Sequence, residues 1–140
     1  MRRTRSVKVL YFSLIPRAKP FTKSIPYYEG EVSFRSLLNG HPSIPIHTTI
    51  VTIKADNKFY IYRLDYRFDS IFLTNTALLK LDHTMPFLGD MVVTCMGDRN
   101  KVVNMATRRQ RDYAVKAVRD FLSHYQERGR IPTSIFRIHS

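Results

Sequence analysis

The chain has 140 residues, with 23 Lys or Arg against 11 Asp or Glu and a formal net charge of +12. Its 44% hydrophobic content excludes global disorder, and the single cysteine, Cys95, excludes a disulfide framework. No apolar run approaches the ~18 residues of a transmembrane helix, and the length suits one domain with a self-sufficient core.

The charge is unevenly spread. Met1 to Lys23 carries seven basic residues and no acidic one, and the chain from Arg99 onward carries ten basic and three acidic. The middle is near balance, with six basic and eight acidic residues. Such a surplus points to a polyanionic partner: RNA, DNA, an acidic membrane surface or an acidic protein.

Residues 1–6 (MRRTRS) read as a short basic flexible tail, in which Arg2, Arg3 and Arg5 are candidates for a phosphate-gripping arm. Lys8 breaks the apolar stretch that follows, and Pro16-Arg17-Ala18-Lys19 ends it, so a mature strand is expected rather than a signal peptide. Val7, Val9 and Tyr11 alternate with Lys8, Leu10 and Phe12, which is the period of a strand. PFTKSIPYYEG reads as a loop or irregular edge, because Pro20 and Pro26 lack an amide donor. Val32, Phe34 and Leu37-Leu38 suggest a short strand or single turn in the least regular region.

Ile46–Ile53 (IHTTIVTI) and Lys58–Tyr66 (KFYIYRLDY) form a predicted hairpin around Ala55-Asp56-Asn57. Phe59, Ile61 and Arg63 fall on one face, and Tyr60, Tyr62, Leu64 and Tyr66 on the other. Asp69-Ser70 reads as a turn. The run Ile71–Leu81 predicts a third strand, bulged at Thr74-Asn75-Thr76. Asp82–Gly89 reads as a loop, Met91–Met96 as a strand, and Gly97–Asn100 as a turn into Lys101–Met105.

A long helix is predicted over 108–128. Thr107 and Gln110 have the spacing of a capping box. Ala114, Val118, Phe121, Leu122 and Tyr125 form an apolar stripe, and Gly129 and Pro132 end the pattern. A short strand is expected near Ser134–Ile138. Together these elements predict a mainly β (α+β) single domain over 7–140, β-sandwich-like, with one long C-terminal amphipathic helix.

The helix start carries the strongest functional signal. Arg108, Arg109 and Arg111 sit where the dipole is already positive, a locally unfavourable placement that an anion would offset. Lys116 and Arg119 extend this surface, and Lys54 and Lys58 at the hairpin turn are candidates to enlarge it. Salt screening, or pairing with Asp112 and Asp120, is the plainer reading. Among the eight tyrosines, Tyr60, Tyr62 and Tyr66 are the candidates for an oligomer interface, ahead of base stacking.

Catalytic and cofactor signals are weak. There is no Walker loop, dinucleotide glycine pattern, HExxH or GxSxG, and His41, His47, His83 and Cys95 lack metal-ligand spacing. Asp65, Asp69, Asp82 and Asp90 would have to converge to serve a nuclease. The expectation is therefore a non-enzymatic protein with no cofactor and no metal, in which Cys95 is a small buried hydrophobe.

The segment Tyr60–Leu81 (YIYRLDYRFDSIFLTNTALLKL), joined to the helix from Thr107 to Arg130, resembles the bornavirus-type matrix proteins. The matching features are a strand, an aspartate-containing turn, a long apolar strand and a late helix bearing Ala114, Ala117 and Phe121. That helix ends in Tyr125, Arg128 and Gly129. The first forty residues match poorly, and the arginine-rich tail departs from the family. What the resemblance implies is a strand-rich domain like the amino-terminal domain of filovirus matrix proteins, assembled as a homotetramer under the viral envelope. It would bind RNA or ribonucleoprotein and anionic membrane lipids during assembly and budding, with a viral phosphoprotein or glycoprotein as a further partner. Its location would be the virion, and the cytoplasm, nucleus or plasma membrane of the host cell. A small basic nucleic-acid-binding accessory protein is the alternative.

Overall fold

The computed structural model describes residues 5–13, 19–28, 31–32, 46–67, 75–81, 87, 89–97, 101–128 and 136–139. The described chain is mainly β, with eight strands in one sheet. They are β1 (Arg5–Phe12), β2 (Phe21–Tyr28), β3 (Glu31–Val32), β4 (His47–Ala55), β5 (Lys58–Tyr66), β6 (Met91–Met96), β7 (Val102–Val103) and β8 (Phe136–His139). The short helix α1 (Thr76–Leu79) and the long helix α2 (Arg108–Arg128) complete the fold. The sheet runs β3-β2-β1-β6-β5-β4-β8, antiparallel except where β8 lies parallel to β4, and β7 pairs with β6.

The β4–β5 hairpin shows how local sequence sets register. Asp56 and Asn57 have φ of 53° and 60°, the left-handed pattern of a two-residue type I′ turn, which these two residue types tolerate. Ala55 therefore pairs with Lys58, and nine pairs follow to His47 and Tyr66. Alternation then sends Tyr60, Tyr62, Leu64 and Tyr66 to one face and Phe59, Ile61, Arg63 and Asp65 to the other.

Helix α2 covers the first of these faces. Ala114, Ala117, Val118, Phe121 and Leu122 recur at helical spacing and are buried against Leu10, Val51, Ile53, Tyr62, Leu64, Val93 and Cys95. The rings of Tyr66, Phe87 and Phe121 pack together, with centroids 4.9 Å apart for Tyr66–Phe121 and 5.8 Å for Tyr66–Phe87. A second cluster, Val7, Val9, Tyr11, Ile25 and Val92, lies on the opposite face. Both faces are thus withdrawn from water at the β1–β6 seam.

Several expectations change. Arg5 and Ser6 belong to β1, paired with Tyr27 and Pro26, so the tail gives way to strand two residues early. PFTKSIPYYEG is a strand rather than a loop over Phe21–Tyr28: β2 pairs along its length with β1, while β3 meets only Tyr27 and Tyr28. An outer position tolerates Pro26, whose missing donor removes no bond from a central ladder. Asn75–Leu81 is not part of a strand. Asn75 caps α1, its side chain accepting the Leu78 amide hydrogen, because an Asx cap before an apolar TALL turn offers the backbone a helical alternative. Residues 1–4, the Asp69-Ser70 turn, Ile71–Thr74, most of the Asp82–Gly89 loop, Phe34–Leu38, Gly129 and Pro132 lie outside the described residues.

Candidate polyanion-binding end

The capping box forms as the spacing requires. Thr107 Oγ1 accepts the Gln110 amide hydrogen at 3.1 Å, and Gln110 Oε1 accepts from the amides of Thr107 and Ala106 at 2.9 and 2.8 Å. Three donors at the helix entry are thereby engaged within the chain. An anion at this end would meet arginine and lysine side chains first, rather than those amides.

Two contacts seat the helix start over the hairpin. The Tyr62 hydroxyl donates to the Gln110 carbonyl at 2.7 Å, and the Tyr60 ring packs on Tyr113 with centroids 4.6 Å apart. Tyr60 lies three residues from the β4–β5 turn, so the first turns of α2 stand beside the hairpin tip. The end of β6 and the start of β7 reach the same end, since Ile61 pairs with Met96, Met96 with Val102, and the Gly97 amide donates to the Lys101 carbonyl at 2.6 Å.

Sequence-distant cations lie toward this end on both faces of the sheet, Lys58 sharing the α2 face with Tyr60 and Tyr62 and Lys54 pairing with Phe59 on the other. Lys54 and Lys58 on the hairpin, Lys101 just before β7, and Arg108 and Arg109 on the helix are exposed, and Arg111 is half-buried. The described acids at this end are Asp56 and Asp112. Asp112 Oδ2 lies 3.9 Å from Arg108 Nε with both side chains largely in water, a pairing too long and too solvated to cancel the cluster. Lys116 and Arg119 continue the exposed outer face of α2. Arg2 and Arg3 lie outside the described residues, and Arg5 is placed only by its backbone in β1.

The interface expectation does not survive for Tyr62 and Tyr66. Both are fully buried under α2, and Tyr66 OH lies 3.2 Å from Thr49 Oγ1. Tyr60 is half-buried against Tyr113. Strand alternation placed all three on one face correctly, but that face meets the chain's own helix rather than a second copy. Cys95 is buried, with its thiol pushed up to about 11 by desolvation and Gln110 Nε2 at 3.9 Å from Sγ.

The opposite face holds a polar strip that sequence reading missed. Asp65 is fully buried, its Oδ1 accepting from Thr48 Oγ1 at 2.7 Å and from Arg63 Nε at 3.2 Å, with Oδ2 3.0 Å from the same nitrogen. Burial outweighs the cation and holds the carboxyl above the ordinary range. Asp90 accepts from Tyr11 OH at 2.7 Å, and burial raises its pKa as well. Thr94, across from Arg63, has a buried hydroxyl with no partner among the described residues. The alternation of Arg63 and Asp65 with Tyr62 and Leu64 was the available signal for this strip. It reads as a solvated face unless something covers it. Asp69 and Asp82 lie outside the described residues, and no group of three or more His, Cys, Asp or Glu side chains converges among those described.

No family model, curated protein or solved structure matches this chain. No helix among the described residues is long and apolar enough to cross a membrane.

Proposed function

We propose that this chain is a non-catalytic structural protein of the viral matrix kind. In this reading it self-assembles beneath an envelope and binds anionic membrane and RNA or ribonucleoprotein through its basic end. The observation that carries the reading is that Lys54, Lys58, Lys101, Arg108 and Arg109, all exposed, come from three separate segments whose backbones meet at one end of a mainly β domain. Charges so placed bind a phosphate array without reading bases. The family likeness supplies the matrix element of the proposal through the strand Lys58–Tyr66 and the late helix, whereas its long apolar strand is not matched over Asn75–Leu81, which cap and form α1. It also supplies the expectation of a sandwich-like domain in a tetramer, in which each subunit's patch becomes part of a wide positive surface.

The test combines assembly with binding. Light scattering on nucleic-acid-free protein in high salt is expected to give about 66 kDa, four times the 16.5 kDa chain. Co-sedimentation with RNA and with phosphatidylserine vesicles should fall steeply as salt rises. Replacing Arg108, Arg109 and Arg111 together by Ala should weaken both while circular dichroism stays unchanged. A monomer whose binding is indifferent to salt would overturn the proposal.

The burial of Tyr62 and Tyr66 favours the second reading, a monomeric basic nucleic-acid-binding accessory protein, because it removes two of the three interface candidates. A monomer that keeps the steep salt dependence on RNA and ignores vesicles would be that protein.

A further inference from the structure

Among the described residues, Phe59 is the one large hydrophobic side chain left exposed, at 66% of its surface. It sits one residue beyond the type I′ turn, between Lys58 in sequence and Lys54 across the strand pair, with Lys54 Nζ 5.9 Å from the ring centroid. Along the same face come Ile61 and its cross-strand neighbour Met96, both half-buried. The tip is therefore an apolar point with Lys54 on its own face and Lys58 on the opposite face, carried on a tight hairpin toward the end where α2 starts.

We infer that Phe59 is the wedge by which this end docks on a bilayer containing anionic lipid, with Lys54 and Lys58 at the headgroups. The inference rests on the polyanion-binding reading above and narrows its partner. A phenyl ring has no hydrogen-bonding group and gains only by leaving water, whereas lysines keep their ammonium groups at the interface while their stems follow apolar surface. Anionic headgroups complement the two lysines, and the acyl boundary receives the ring. Nucleic acid fits this tip less well. Stacking uses an open ring face and usually a succession of rings, whereas Lys54 stands over the Phe59 ring and the next aromatic, Tyr60, is turned to Tyr113.

The chain contains no tryptophan, so Phe59→Trp places a single tryptophan, excited selectively over the eight tyrosines at the red edge of its absorption, at the tip. With vesicles of phosphatidylcholine and phosphatidylserine, its emission should shift to the blue and be quenched by brominated acyl chains; phosphatidylcholine alone should do neither. Phe59→Ala should lower partitioning onto the anionic vesicles roughly tenfold, with the melting temperature unchanged because the ring packs little in the fold. If the tryptophan emission stays fixed while the protein still sediments with the anionic vesicles, the wedge is wrong and the polyanion reading stands. A shift produced by single-stranded RNA and not by vesicles overturns it in favour of stacking. Loss of binding to vesicles and RNA alike in the unmutated chain overturns both.

Discussion

Asn75 is fully buried, and both ends of its side-chain amide are engaged. Nδ2 donates to the carbonyls of Phe12 and Gly89 at 2.9 Å each, and Oδ1 accepts from the Leu78 amide at 3.1 Å. One amide thus joins the end of β1, the cap of α1 and the approach to β6, where Gly89 takes φ 146°, a value side chains beyond glycine rarely adopt. Asn75→Ala would leave two buried carbonyls without their donor, so we expect a loss of about 2–4 kcal/mol in urea unfolding. Asn75→Asp should cost at least as much, because it sets an acceptor against two acceptors. Sequence reading placed Asn75 in a strand bulge. An asparagine before TALL is also a cap signal, but β-propensity in the neighbouring apolar run competes with it. What decides is the pair of carbonyls brought near from residues 63 and 14 positions away.

At the scale of elements, α2 was the most legible, because its start and its apolar stripe are both local. The capping box ties Thr107 and Gln110 to each other, so Thr107→Ala should cost about 1 kcal/mol, measured as a drop in melting temperature. Gln110→Ala should cost more, since Gln110 Oε1 serves two amides and the residue also packs beside Cys95. The β4–β5 hairpin was legible for the same reason, its turn and alternation both being written in adjacent residues. β2 was not. Pro20 before it and Pro26 within it predict a loop or irregular edge; the edge agrees with its outer place, but a regular eight-residue strand there depends on distant pairing with β1. The role of the tyrosines was hidden likewise: alternation shows that Tyr60, Tyr62 and Tyr66 share a face, but not what covers it.

For the whole molecule, the even charge of the middle segment conceals its contribution to the basic end. Lys54 and Lys58 matter there only because the hairpin tip comes to rest beside the start of α2. Net protonation also belongs at this scale. Burial raises the carboxyls of Asp65 and Asp90 in the folded chain, so folding takes up protons between the ordinary carboxylate pKa and the raised values. In that window stability falls as pH rises, whereas His47, lowered by burial, acts oppositely as pH falls through its ordinary range. Comparison with Asp65→Asn isolates one contribution. The variant should be as stable as the parent or more so at neutral pH, and its advantage in melting temperature should shrink on acidification toward pH ~4. An advantage independent of pH would mean that Asp65 is not held above its ordinary range. The sheet order carries a last consequence. β4, β5 and β6 pair with near neighbours in the chain, as do β1 and β2, but the sheet becomes continuous only where Leu10 meets Val93. A ribosome must therefore release more than ninety residues before the first hairpin finds its permanent neighbour. Refolding should be correspondingly slow, limited by a search between two preformed halves rather than by any step within either.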